Sequence, residues 1–472
     1  MLDFVNGLAN GWVAAPVVRA FAQREIFALL SRRPMSLEEL VQHCRGNAGH
    51  LHAGLRLLDE LGWVDVTPVG LYTASAEAVA AAALYDELDA LLPFGLTPAP
   101  LHAAVATLPA WLARCCVDWT GAHPMMVPLL DGAALAPLLA QLYDLGEQKL
   151  ERPQETDDTL AAAWRAVHAL FEHRGWGRTT AAGFELHPVG RSLLSSTGAL
   201  GTVVSYAAMF RCMDDLLFGH AQAVFDADAQ GHESHIDRTL NVTASGVQHQ
   251  SHFAELDALI VSMFDRTPLE AQPRYVADMG CGDGSLLRRI YRVVCEQTRR
   301  GQALQTHPLT MIGIDYNALA LHATARTLAD VPHCLVQGDI ADPQRLVVDL
   351  AAQGILDTER ILHVRTFLDH DRPFVPVKDE AAAQRRQGQE YSGVYVARDG
   401  GEVKATHAVQ SLVEHLRRWH AVVAGFGLVM LEVHCLRPQM VRRLQNQTES
   451  AHFDAYHAFS GQQLVEAPVF LM

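Results

Sequence analysis

The run Tyr275-Val276-Ala277-Asp278-Met279, followed by Gly280-Cys281-Gly282-Asp283-Gly284, constrains this chain more than any other stretch. An apolar segment ends in an acid, three alternate glycines follow, and residues 285–294 then carry amphipathic helical periodicity. Strand, glycine turn, helix is the unit of an open α/β sheet, whose ligands bind beyond the carboxyl ends of the strands. Glycines at that point let the backbone turn and approach a ligand without a Cβ in the way. A dinucleotide turn of the form G-x-G-x-x-G needs its third glycine at position 285, where this chain has Ser285.

Two further acids follow the same pattern. Thr310-Met311-Ile312-Gly313-Ile314-Asp315 reads as a second strand ending in a carboxylate, followed by Tyr316. Residues 332–336 read as a third, running into Gln337-Gly338-Asp339-Ile340. A nicotinamide site has little use for Asp278, whereas a sulfonium cofactor with an amino-acid moiety presents an ammonium group to it. Asp315 then suits two ribose hydroxyls, Asp339 an adenine amino group, and Ile340 the face of the ring. With Gly280 and Gly282 these residues resemble the motifs of the class I S-adenosylmethionine-dependent methyltransferases over roughly residues 245–472. The resemblance implies a Rossmann-like seven-stranded sheet whose last strand runs antiparallel. Residues 421–435 fit a helix end, a glycine break and a strand, and residues 464–471 are expected to form the reversed strand, with Pro468 at an edge or bulge.

The fourth strand carries the chemistry in such a fold. Here it reads Ile361-Leu362-His363-Val364-Arg365-Thr366-Phe367-Leu368-Asp369-His370-Asp371-Arg372-Pro373-Phe374. An apolar strand running into Arg, Asp, His, Asp and Arg exceeds what surface pairing requires. This run resembles the metal-dependent methyltransferase domains of polyketide synthase loading modules, of the apratoxin and saxitoxin type. Residues 235–253, 410–419 and 452–463 extend the likeness.

The resemblance implies methylation at the α-carbon of a malonyl or methylmalonyl group on an acyl carrier protein, in polyketide-like secondary metabolism. It also implies a divalent metal (iron or manganese) as Lewis acid for the enolate. His370 matches the metal histidine, and Gln462 or Gln463 the glutamine. Arg365, Asp369, Tyr456 and His457 are expected to serve acid, base or substrate contacts. Ser245 and Gly246, in the polar segment before the catalytic core, are expected to touch the cofactor.

Residues 1–240 read as a mainly helical lid or dimerisation domain, and residues 241–472 as the cofactor-binding core. Within the first part, a helix closing on Gly62-Trp63 and one closing on Gly175-Trp176 each precede a short hairpin, the outline of a winged-helix unit seen twice. No Lys/Arg face accompanies either copy, and a formal net charge of −16 argues against nucleic acid as partner.

The eight cysteines form no C-x-x-C pair, and no signal peptide or membrane span is present, so a cytoplasmic enzyme is expected. The stretch from Met1 to Met472 contains no carrier-protein or ketosynthase-like segment, and the expectation is a free-standing enzyme, with a homodimer as one option, acting on its carrier protein or a small acyl substrate in trans. Arg288, Arg289, Arg292, Arg299 and Arg300, Arg417 with Arg418, and Arg442 with Arg443 are the candidate docking clusters for an acidic carrier. Two rivals stand beside this reading. One is a metal-independent small-molecule O-methyltransferase with a histidine base, the other a non-catalytic protein that keeps the fold and binds the cofactor weakly.

Overall fold

The computed structural model describes residues 1–153, 157–227, 233–249 and 252–471. They form two compact units. The first takes in residues 1–248 together with 391–403 and 435–466, and the second takes in 249–390, 404–434 and 467–472. The boundary read from composition, near residue 240, thus has a counterpart at 248/249, but two later segments return to the first unit.

The first unit is built on the helices Leu2–Gln23 and Val127–Leu145, both apolar around their whole circumference and so buried on every side. They cross at Gly11 and Gly132. A Cβ on Gly11 would lie 2.0 Å from the Pro128 carbonyl oxygen, and one on Gly132 would lie 2.4 Å from the Trp12 nitrogen, so only glycine permits the approach. The two Gly-Trp sequences end their helices in the same way. Gly62 and Gly175 take positive φ (78° and 70°) after the helices Ala48–Glu60 and Asp158–His173. The following tryptophan N–H then reaches back five residues, Trp63 to the Leu58 carbonyl and Trp176 to the Phe171 carbonyl. Both indoles are buried. Hairpins follow in each case, Asp65–Val66 with Tyr72–Thr73 and Gly177–Thr180 with Gly183–Leu186.

The second unit holds a five-stranded sheet. Its strands are β1 (Tyr275–Met279), β2 (Thr310–Asp315), β3 (His333–Gln337), β4 (Ile361–Thr366) and β5 (Leu428–Leu431). Their order is β5-β4-β1-β2-β3, with every pairing parallel. The strand order reverses at β1, so the ends of β1 and β4 flank the switch point. β1, β2 and β4 are almost wholly buried, as strands covered on both faces must be. The helices Phe253–Phe264 and Ser285–Gln297 pack against them.

Two expectations are corrected here. Among the described residues the sheet has five strands rather than seven, and no antiparallel strand closes it. Residues 464–471 do not form a reversed strand: Ala467–Phe470 is a short helix, and just before it Glu466 makes an isolated parallel bridge to Cys435. Pro468 lies in its first turn, where a fixed φ and a missing N–H suit a helix start. No helix among the described residues is long and apolar enough to cross a membrane.

Candidate functional site

The turn after β1 is tied down by its neighbours. Gly280 and Cys281 donate their N–H groups to the Ile314 carbonyl at the end of β2 (2.8 and 3.0 Å). Gly280, Gly282 and Gly284 all take positive φ, between 54° and 79°. A Cβ on Gly284 would meet Thr324 at 2.8 Å, while one on Gly282 would face open space. Gly284 is therefore required by packing, and Gly282 leaves an approach to the backbone.

Asp278 lies inside this turn at 2% exposure, and its Oδ1 has no hydrogen-bond partner. Burial, then the neighbouring Asp315 and Asp283 carboxylates, push its pKa up to about 8. A buried carboxylate without a donor is the mark of a missing cationic or N–H partner. Asp315 is better provided for. Its Oδ2 accepts from the Gly282 N–H (3.1 Å) and its Oδ1 from the Asn317 N–H (2.9 Å). Tyr316 beside it is 61% exposed. Asp339 is exposed, with Oδ1 accepting from the Ala341 N–H (2.8 Å). Ile340 is half-buried, and its carbonyl accepts from the Trp419 indole (2.9 Å), which ties this loop to the helix Ala405–His420. The three acids at successive strand ends are thus in one unit and on one edge of one sheet.

Beyond β4 the charged residues close into a buried network. The Arg365 guanidinium lies over the Trp419 ring (4.9 Å) and 2.9 Å from Asp369 Oδ2. His415 Nε2 is 3.2 Å from the other Asp369 oxygen. The Arg365 contact is an ion pair by distance, and neither contact has hydrogen-bond alignment. The Asp369 backbone N–H donates to Glu432 Oε2 (2.7 Å), and His370 Nδ1 meets Glu432 Oε1 at 2.6 Å. Arg372 donates to the Ser411 hydroxyl (3.1 Å).

Phe367, the first residue past β4, has φ 56°, a strained value for an aromatic side chain. Its N–H is held by the Leu431 carbonyl (2.7 Å), so the end of β5 fixes the turn that presents Asp369 and His370. Burial disfavours charge on His370, yet the adjoining Glu432 outweighs it and holds the pKa above the ordinary histidine value. Burial lowers Arg372 to about 10 and lowers His415, while His363, between burial and Arg365, falls to about 4.

Glu432, His415 and Trp419 were not singled out from the sequence. Glu432 had a signal available, since it follows the apolar Leu428–Leu431 as Asp278 and Asp315 close their own strands. His415 and Trp419 carried only helical spacing.

The other expected site residues belong to the first unit. Tyr456 stacks on Tyr206 (4.9 Å between ring centres), and His457 Nδ1 is bonded to the Phe453 carbonyl one turn back (2.6 Å). Gln462 donates to the Tyr206 hydroxyl (2.9 Å), and Gln463 is buried beside it in the chain. Ser245 bonds the Val242 carbonyl within the helix Arg238–His249, where Gly246 is exposed. Among the described residues no group of three or more His, Cys, Asp or Glu is placed to hold a metal ion.

The basic clusters are largely neutralised. Arg288 pairs with Asp330, Arg289 with Asp257, Arg299 with Asp265, and Arg442 with Asp59 and Asp65. Arg300 is buried on the His307 and Pro308 carbonyls.

Comparison with known proteins gives three family matches: the AprA N-terminal domain over residues 1–66, the AprA winged helix domain over 131–220, and the AprA MT2-like domain over 233–472. No curated protein matches the chain significantly. Among solved structures, an O-methyltransferase family protein from Burkholderia thailandensis is 12% identical, covering 73% of this chain and 88% of its own, with a TM-score of 0.41. CalO1, a methyltransferase in calicheamicin biosynthesis in its SAH-bound form, is 16% identical over 83% of this chain and 91% of its own, with a TM-score of 0.25. The DszA carbon methyltransferase is 13% identical over 76% and 79%, with a TM-score of 0.22. The AprA MT2-like match spans just over half of the chain and takes in every strand of the sheet, from the Asp278 turn to Glu432, so this protein belongs to that family of S-adenosylmethionine-dependent methyltransferases.

Proposed function

We propose that the protein transfers a methyl group to the α-carbon of a malonyl- or methylmalonyl-type acyl group on a carrier protein, in polyketide-like biosynthesis. The observation that carries this reading is the pair of buried guanidinium groups, Arg365 and Arg372, at the end of β4 beside His370. Buried arginines suit an acceptor that brings a carboxylate and develops enolate charge. An aromatic hydroxyl needs only the histidine, which is the rival O-methyltransferase reading.

His370 also fits a metal ligand. Its Nδ1 is engaged by a carboxylate, the arrangement that orients a metal-bound histidine through the other nitrogen. A histidine alone makes a weak metal site, which substrate oxygens and water would complete. A bound divalent ion supplies Lewis acidity toward the acyl oxygens. Glu432 holds the imidazole in one orientation, and Asp369 keeps Arg365 in place over Trp419. Treatment with a strong chelator is expected to abolish methylation of malonyl-carrier protein, read as mass gain, and Fe²⁺ or Mn²⁺ to restore it. Full activity in chelator on a hydroxylated aromatic acceptor instead would establish the rival.

The cofactor's ammonium group is assigned to Asp278, the unsatisfied carboxylate. Binding favours the ionised form, whereas the cofactor-free carboxyl keeps its proton up to about pH 8. Cofactor binding below that pH therefore expels a proton. Affinity is expected to rise with pH between 6 and 7.5, by up to about tenfold per unit, with proton release visible in calorimetry across buffers. Because the folded pKa is raised, the same group stabilises the cofactor-free fold at low pH and loses that effect as pH climbs toward 8. Asp278→Asn is expected to weaken binding by about 10–100-fold and to abolish the proton release. A pH-independent affinity in the unmodified protein would remove Asp278 from this role.

A further inference from the structure

The first unit encloses a cavity of about 10 Å³, room for one water-sized occupant. Its walls are mostly apolar, among them Ala53, Leu57, Val394 and Ala458, and its polar lining comes from Arg56, Glu60, Asp454, Gln462 and Cys435. The Arg56 guanidinium makes four hydrogen bonds. Its Nε donates to Glu60 Oε1 (2.9 Å), and Nη2 donates to Asp454 Oδ2 (2.7 Å) and to the Leu436 carbonyl (2.8 Å). Nη1 donates to the Ser392 carbonyl. Three oxygens are left over. Glu60 Oε2, Asp454 Oδ1 and Gln462 Oε1 are buried and accept no hydrogen bond. Their residues are 1%, 6% and 8% exposed. Gln462 donates one amide N–H to the Tyr206 hydroxyl, and the Cys435 thiol is directed to the Leu464 carbonyl (3.6 Å).

The charges do not balance either. One guanidinium faces two buried carboxylates, and unneutralised charge in such surroundings costs several kcal/mol. We propose that this cavity binds one small monovalent cation, of the potassium or ammonium class, through Glu60, Asp454 and the Gln462 carbonyl. An all-oxygen donor set selects a hard cation over zinc or copper. Two carboxylates and an amide carbonyl, with one guanidinium already offsetting one of the carboxylates, suit a single charge. A proton is the competitor, since burial raises Glu60 to about 8 and Asp454 to about 7.

The test compares the full-length protein in potassium, ammonium, thallium(I) and tetramethylammonium chlorides at equal ionic strength and pH 8. Potassium is expected to raise the melting temperature saturably by about 3–6 °C over tetramethylammonium, with ammonium and thallium(I) acting alike. Gln462→Met, which keeps both carboxylates, is expected to remove that difference, as is Glu60→Gln. Crystals soaked in thallium(I) should show one anomalous peak within the cavity. Equal melting temperatures in all four salts, or a cavity without an anomalous peak, would overturn the proposal and leave the site to a proton or a water.

Discussion

Replacing Arg56 with methionine is expected to destabilise the protein by about 3–5 kcal/mol, the largest stability effect of any single substitution considered for this chain. The guanidinium bridges Glu60, Asp454 and two backbone carbonyls contributed by three separate segments of the sequence. Its loss strands two carboxylates that burial already holds near or above neutral pH. The stranded groups then take up protons, so the deficit should grow from pH 6 to pH 8.5. Arg56→Lys should recover little of it, because a single ammonium cannot address acceptors arranged around a planar fork. Urea denaturation followed by tryptophan fluorescence measures the effect, given Trp12, Trp63 and Trp176 in the same unit. A loss under about 1 kcal/mol would mean that the cluster adds nothing net, as some buried ion pairs do.

The second large effect concerns turnover. His370→Ala is expected to lower kcat by about 10²–10⁴-fold while leaving the dissociation constant for S-adenosylmethionine within twofold, because the cofactor acids Asp278 and Asp315 close other strands, β1 and β2. Glu432→Gln keeps the shape of the side chain and one acceptor oxygen, yet weakens its hold on the imidazole. A fall of about 10–100-fold in activity or in metal affinity is expected. Manganese binding followed by electron paramagnetic resonance separates the two readings of this histidine. Loss of the bound signal in both variants supports the metal role, and an unchanged signal assigns His370 to proton transfer alone. Equal catalysis by His370→Ala and the parent would falsify both.

Much of this was legible in the residues because it is local. An apolar, almost wholly buried strand with an acid at its tip, and glycines at positions of positive φ, announce themselves within ten residues. The helix ends at Gly62-Trp63 and Gly175-Trp176 did so too. Glu432 escaped notice because its importance comes from a parallel pairing, β5 beside β4, between segments more than sixty residues apart. Sequence order also concealed the return of residues 391–403 and 435–466 to the first unit, because no periodicity records which core a short segment joins. The reversed last strand was implied by the resemblance, and Pro468 in the first turn of a helix overrode it.

That return governs how the protein is made. A nascent chain that has emerged only to residue 240 carries Arg56 and Glu60 but not Asp454, Ser392 or Leu436. The helix Ala48–Glu60 must therefore wait, with its charged face unmet, until Asp454 has also left the ribosome. A fragment cut at the compositional boundary would be arrested at that same stage. It should be recovered as a chaperone-bound or aggregated species rather than as an independent domain.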